Sequence, residues 1–223
     1  KRVEIDIKID KPLARPLRIV AISDLHLGYG IKKDELEGWI GLINAENPDI
    51  VLIAGDVVDN FAKPLFEDKV YKTLRRIKAR YGVYMALGNH EYIGGEIDRN
   101  LNFLSQSNVQ VLRDSATLID NTFYIIGRDD ASRKYRNSLA NITDRLDHTK
   151  PMIVLDHRPS GFEEAQKCGI DLLLSGHTHG GQVFPISLVV KAVFKHSYGY
   201  HTANGTHFYI TSGLGIWGGK FRI

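Results

Sequence analysis

Short apolar runs rich in β-branched residues recur along the chain, and between them lie stretches whose apolar residues repeat every three or four positions. The runs predict strands buried on both faces and the stretches predict helices, so the pattern is α/β. Val3, Ile5, Ile7 and Ile9 alternate with polar residues and read as a strand with one solvated face. Buried strands are expected over 18–23, 50–54, 83–87, 152–155 and 170–174, and helices over 33–45, 65–79, 96–105, 138–146 and 161–167. From 109 to 127 the pattern turns strand-like with a turn at Asp120-Asn121, and 198–202 and 207–211 flank Asn204-Gly205. Two hairpins follow from those turn residues.

A chain of 223 residues that is 43% hydrophobic can bury a substantial core. It shows no repeat and no linker-like segment, so one domain over 1–223 is expected, trimmed from a longer chain because it starts at Lys1 rather than methionine. Its 29 basic and 26 acidic residues are interspersed, and the net charge of +3 indicates no nucleic-acid partner. The single Cys168 excludes an internal disulfide and reads as a small core residue at a helix end. No apolar run approaches the roughly 20 residues that cross a bilayer. The chain is expected to be soluble as given, with any membrane anchor lying in segments outside it.

The polar residues become informative once the strands are placed. Five of the buried runs end in metal-type ligands: Asp24-Leu25-His26, Gly55-Asp56, Gly88-Asn89-His90, Asp156-His157 and Gly176-His177-Thr178-His179. In extended backbone, residues two apart face the same side, so Asp24 with His26 and His177 with His179 are each expected to meet one point. The carboxyl ends of strands are where open α/β sheets bind ligands. Any one of these residues alone reads as a cap, a turn or a satisfied histidine. Together, four histidines, two aspartates and an asparagine in one cleft would cost several kcal/mol per unpaired charge, and cations remove that cost. Seven donors without a thiolate exceed one tetrahedral zinc. Two ions are implied, of manganese, iron or zinc, with a carboxylate such as Asp56 able to bridge them.

At this point the chain resembles the calcineurin-like metallophosphoesterases. Asp24-x-His26, Gly55-Asp56-x-x-Asp59, Gly88-Asn89-His90-Glu91, His157 and Gly176-His177-x-His179 match that family's signature in order, from about 18 to 181. The resemblance implies a four-layer α/β/β/α sandwich with a binuclear metal site at the sheet edge. It implies Asp24, His26 and His179 on one metal, Asn89, His157 and His177 on the other, and Asp56 as the bridge. It also implies that His90 touches the phosphoryl or leaving oxygen and is oriented by Asp59. That role suits a histidine held by a carboxylate outside the metal shell, which can donate a proton to a departing alkoxide.

Protein serine/threonine phosphatases resemble this pattern but carry an arginine after the aspartate at 59, where this chain has Asn60. The stretches 155–159, 174–182 and 212–215 resemble a bacterial branch of membrane-associated or cell-envelope phosphoesterases, some assigned to lipid-linked or nucleotide-sugar-lipid substrates. The expected activity is hydrolysis of a phosphomonoester or phosphodiester by in-line attack of a metal-bridging hydroxide, on a phosphorylated small molecule or a lipid-linked substrate. Arg128 and Asp130, followed by Arg133, Lys134 and Arg136, are candidates to reach its phosphate, with a solvated charge cluster as the alternative. Asp156 has two readings, a partner behind the ligands or, favoured by strand alternation, an outward-facing surface residue. The run 184–195 has helical apolar spacing at 186, 189, 190, 193 and 194. Either it covers a sheet edge, or its apolar surface stays open beside the metals for an acyl chain or membrane. Two rival functions remain. A non-catalytic scaffold of the same fold would have a degraded ligand set, and a nuclease would want a basic groove with interleaved aromatics.

Overall fold

The computed structural model describes residues 2–28, 30–31, 33–182, 184–194 and 196–216, without the side chains of Ile186 and Lys191. Strands β1 (Ile19–Ile22), β2 (Ile50–Ala54), β3 (Val83–Ala86) and β4 (Val109–Leu112) form one parallel sheet in that order. Helix α1 (Lys33–Ala45) joins β1 to β2, the short helices α2 (Lys63–Glu67) and α3 (Val70–Leu74) join β2 to β3, and α4 (Ile97–Gln106) joins β3 to β4. The second sheet contains β5 (Ser115–Ile119), β6 (Phe123–Gly127), β7 (Met152–Leu155), β8 (Leu172–Ser175), β9 (Gly199–Ala203) and β10 (Thr206–Ile210). Its order is β5-β6-β7-β8-β10-β9, parallel from β6 to β10 and antiparallel at both margins. Helices α5 (Leu139–Thr143) and α6 (Phe162–Lys167) lie between its strands in sequence, and α7 (Ile186–Val193) follows β8.

Alternate residues of one strand serve two cores, which is why the buried strands read as unbroken apolar runs. Ile50 and Leu52 of β2 share a core with Ile153, Leu155, Leu172 and Leu174 of the facing sheet. Val51 and Ile53 share another with Leu36 and Ile40 of α1 and Phe103 of α4. Beyond the second sheet, Met152, Val154 and Leu173 pack with Leu139 of α5 and Ala165 of α6, and Cys168 sits half-buried against them. Helix, sheet, sheet and helix therefore stack as the expected four-layer α/β/β/α sandwich.

Both hairpins form as their turn residues require. Asp120 and Asn121, and Asn204 and Gly205, all have positive φ, the signature of a two-residue primed turn. Two expectations change. The helix expected over 65–79 is broken, because Lys69 takes a left-handed φ of 53° between α2 and α3. Its apolar face survives the break, since Leu65, Val70 and Leu74 are all buried. Past Leu74, the Asn44 side chain accepts from Lys78 N and donates to Arg76 O, both at 2.8 Å, and so ties this stretch to α1 without a helix. The run 3–9 forms no strand. Ile7 packs with Leu13 and Leu17 against the core between the sheets, and Lys8 O accepts from the His207 side chain at 3.0 Å. β10 already has neighbours on both sides, so it offers that run no ladder.

The run 184–195 contains α7 as its spacing predicts, with Lys195 outside the described residues. Phe184, Leu188, Val189 and Val193 are exposed, and Val190 and Phe194 are half-buried. The helix therefore leaves apolar surface open. Among the described residues no helix is long and apolar enough to cross a membrane.

Candidate metal centre

The site begins where β1 and β2 end. Their ladder does not stop with the strands: Asp24 N donates to Gly55 O at 3.0 Å, His26 N to Asp56 O at 3.1 Å and Leu27 N to Val57 O at 2.8 Å. Asp59 N returns to Leu27 O at 3.0 Å, so the two loops are tied together through the motif residues. The backbone there is not extended. Asp24, His26, Asp56, His177 and His179 all have left-handed φ, between 48° and 70°. This corrects the expected reason for convergence: the paired residues meet through turns of positive φ, not through strand alternation. Aspartate and histidine tolerate that conformation better than branched residues do, and such outliers cluster at functional sites.

Two close approaches demand glycine. A Cβ at Gly176 would run into the Asp24 carboxylate, and one at Gly88 into the Asp56 carboxylate. These glycines let strand-end loops close directly over candidate ligands.

The side chains form two donor groups. In the first, His26 Nε2 and His179 Nε2 are 3.1 Å apart, with Asp24 Oδ1 3.9 Å and 3.4 Å away from them. In the second, His157 Nε2 lies 3.2 Å from His177 Nδ1 and 3.0 Å from Asp56 Oδ2. The same Asp56 oxygen is 4.0 Å from His26 Nε2 and so reaches the first group too. Asn89 presents a buried Oδ1 with no hydrogen-bond partner among the described residues. Donors 3 to 4 Å apart are what ligands roughly 2 Å from a common ion would be. Paired imidazole nitrogens facing each other and a carboxylate, with a stranded amide oxygen, fit cations and have no good account without them.

The surroundings fix these donors. His157 Nδ1 donates to Ala54 O at 2.8 Å, which turns Nε2 toward the donor group. Burial presses His157 toward the neutral form, but the adjoining Asp56 carboxylate outweighs it and lifts the ring to about 10. His177 is pushed down to about 4 by burial, by the charge of His157 and by Arg158. Asp56 feels burial upward, yet the His157, His90 and His26 rings hold its carboxyl well below the usual range. A cation bound among these donors would displace the histidine proton, because ligation takes the neutral ring.

Outside the two groups, His90 Nδ1 lies 2.6 Å from Asp59 O and 3.2 Å from Asp59 Oδ1. Asp59 Oδ1 is also 3.3 Å from His26 Nδ1, so one carboxylate orients two histidines. Burial lowers His90 and its aspartate neighbours more than reverse that, raising it overall.

Sequence reasoning gave Glu91 no role. The structure buries it completely as an anchor: its carboxylate accepts from Asp56 N, Val57 N, Val58 N and Gly88 N at 2.7–3.0 Å. Burial and the Asp56 charge push it up to about 7, although its backbone donors oppose that. The available signal was an acid four residues past the buried run 83–87, directly after the asparagine and histidine of the motif.

Asp156 is fully buried between Arg128 and Arg136, which corrects the surface reading. Strand alternation fails there because the chain has left β7 at Leu155. Arg128 is itself buried, with Asp156 Oδ2 at 3.3 Å, Glu164 Oε2 at 3.0 Å and Asn137 O at 3.2 Å. Asp130 is buried facing Arg158. Neither Arg128 nor Asp130 is presented to an incoming phosphate.

The sequence model of the calcineurin-like phosphoesterases matches residues 17–181. An uncharacterized metallophosphoesterase of Campylobacter jejuni is 34% identical over 98% of this chain and 59% of its own length. A Danio rerio transmembrane protein with a metallophosphoesterase domain is 29% identical over the whole chain and 54% of its own. The chain thus spans somewhat over half the length of these relatives. The crystal structure of a dimetal phosphatase from Danio rerio superposes with a TM-score of 0.55 at 14% identity, over 88% of this chain and 87% of that one, a likeness of fold. With the ligand types in the family's order and brought together by both sheets, the chain belongs to the calcineurin-like phosphoesterases, hydrolases of phosphate esters whose family implies a binuclear divalent site.

Proposed function

We propose that this protein hydrolyses a phosphate ester using two metal ions, one held by Asp24, His26 and His179, the other by Asn89, His157 and His177, with Asp56 shared. The observation that carries this reading is the reach of one carboxylate: Asp56 Oδ2 lies 3.0 Å from His157 Nε2 and 4.0 Å from His26 Nε2. Imidazole, carboxylate and amide oxygen without thiolate suit manganese, iron or zinc. Bound there, such ions supply Lewis acidity that neutralises phosphoryl charge and makes water a competent nucleophile near neutral pH.

The chain's own residues complete the chemistry. Asp59 engages the His90 ring at Nδ1, which leaves Nε2 to carry the proton for the leaving oxygen. Asp59 also steadies the His26 ring, so the proton donor and the first metal group share a support. Glu91 holds the loop that bears Asp56 by three backbone N–H groups and its own loop by the N–H of Gly88, which keeps the shared carboxylate in place without touching substrate.

The finer reading is a lipid-linked phosphodiester, nucleotide-sugar-lipid in kind. It is supported by the apolar surface of 184–194 beside the second donor group, where the Phe194 and His177 rings are 6.0 Å apart. Membrane association would come through that surface or through segments outside this chain.

The test is metal-stripped protein reconstituted with manganese, zinc, iron or magnesium and assayed on 4-nitrophenyl phosphate and bis(4-nitrophenyl) phosphate. Two bound ions and metal-dependent turnover of at least one ester are expected. Two ions bound with no turnover of either ester under any metal would remove the hydrolytic reading and favour a scaffold.

A further inference from the structure

Building on the hydrolytic reading, we propose that Arg158 binds the phosphoryl group beside the metal donors and that the buried carboxylate of Asp130 positions its guanidinium. Strands β6, β7 and β8 are neighbours, with Gly127 opposite Leu155 and Leu155 opposite Leu174. Asp130, Arg158 and His177 each stand three residues beyond that row, so three adjacent strands deliver them to one edge of the sheet.

The Asp130 carboxylate is fixed from within. Its Oδ1 accepts from Ser132 N at 2.8 Å, its side chain has no exposure, and its Oδ2 faces Arg158 Nε at 3.5 Å. Arg158 Nε is buried, yet the side chain as a whole is 33% exposed. The guanidinium therefore enters the protein by its Nε edge and leaves its Nη end as the open part. Three other arginines of this region are committed, Arg128 and Arg136 to Asp156 and Arg113 to Asp129 at 2.8 Å, while Arg133 lies over the Tyr92 ring. Arg158 also directly follows His157, whose Nε2 lies 3.2 Å from His177 Nδ1 in the second donor group.

A guanidinium braced at one edge by a buried carboxylate keeps its remaining N–H groups for a second anion. Its planar fork matches two oxygens of a phosphoryl group, and bracing removes much of the ordering cost that a free arginine would meet. Asp130 itself, being anionic and buried, orients the arginine without touching substrate.

The test uses the whole chain loaded with manganese and two probes, inorganic phosphate binding by calorimetry and hydrolysis of bis(4-nitrophenyl) phosphate. Arg158→Ala is expected to weaken phosphate binding about 10- to 100-fold, the range for losing a hydrogen-bonded charge, and to raise KM in parallel with both metals retained. Arg158→Lys, which keeps the charge opposite Asp130 but not the fork, should recover part of the affinity and remains readable if the alanine variant fails to fold. Asp130→Asn should weaken phosphate binding by a smaller factor with metal content unchanged. Phosphate affinity unaltered in the Arg158 variants, or absent in the wild-type protein, overturns the proposal, and a lowered melting temperature with unaltered affinity makes the pair structural only. Phosphate binding that depends on Arg158 in a protein that cleaves no ester would instead overturn the hydrolytic reading and leave this one standing.

Discussion

The loops after β1 and β2 and the segment 184–194 border the same site and are built in opposite ways. In the loops, Asp24 and Asp56 are 0% and 2% exposed, and backbone bonds run through the motif from Asp24 to Asp59. In the segment, Phe184, Leu188, Val189 and Val193 are 57–68% exposed, and none carries a donor or acceptor in its side chain. Fixed dipoles and charges suit chemistry that needs donors held to a fraction of an ångström. An open apolar surface suits discrimination by the rest of the substrate, where contact area matters more than angle. The proposed reading gives reaction and selectivity to different parts of the chain, and each half of it can be broken separately.

The largest effect is expected on the locked side. Asp56→Asn removes charge that both donor groups share, and metal analysis should show both sites weakened by more than about 100-fold, beyond the usual loss for an outer partner. Two ions retained at wild-type affinity would take Asp56 out of the shared role. His90→Ala should keep both metals and lower turnover by roughly 10²–10⁴, with a smaller loss for esters whose leaving group needs no proton. Equal losses across leaving groups would make His90 a positioning residue. Glu91→Gln replaces one carboxylate oxygen by an N–H₂ among four backbone donors, so metal affinity should fall about 10- to 100-fold and the melting temperature should drop. Unchanged metal affinity would show that the Asp56 loop holds itself.

The smallest effect belongs to the open side. The double change Val189→Ser and Val193→Ser touches exposed residues and should leave the melting temperature nearly unchanged. Hydrolysis of a lipid-linked phosphodiester in vesicles should fall about tenfold, in line with partial burial of two side chains that each contribute roughly 1.5–3 kcal/mol when fully buried. Hydrolysis of a small diester should not change. Parallel loss on both substrates would mean that the segment supports the site rather than the lipid.

What could be read ahead of the structure was whatever is written locally. Apolar runs of four or five marked the central strands, and the residues just past them, Asp24, Asp56, His157 and His177, assembled because strand ends are where a chain leaves a sheet. Asn-Gly and Asp-Asn placed both hairpins for the same reason. The pairing of Arg128 with Asp156 spans 28 residues and depends on β6 and β7 lying side by side, which no local spacing encodes. The left-handed Lys69 split a helix without disturbing its apolar face, so periodicity passed over it. Strand alternation was the wrong rule for the ligand pairs, whose convergence depends on backbone turns that a polar pattern does not reveal.

Each donor group takes residues from both sheets: Asp24 and His26 with His179, and Asp56 with His157 and His177. His177 N already donates to Asp24 Oδ1 at 3.1 Å, and His157 Nδ1 to Ala54 O at 2.8 Å, across the same seam. Ions seated there would act as rivets, since sliding one layer over the other would pull ligands from both at once. Their binding energy would then be folding energy: free metal at 100 times its dissociation constant adds about 2.7 kcal/mol per site. Metal starvation would then loosen one joint between the two sheets, at the edge of the apolar core they share.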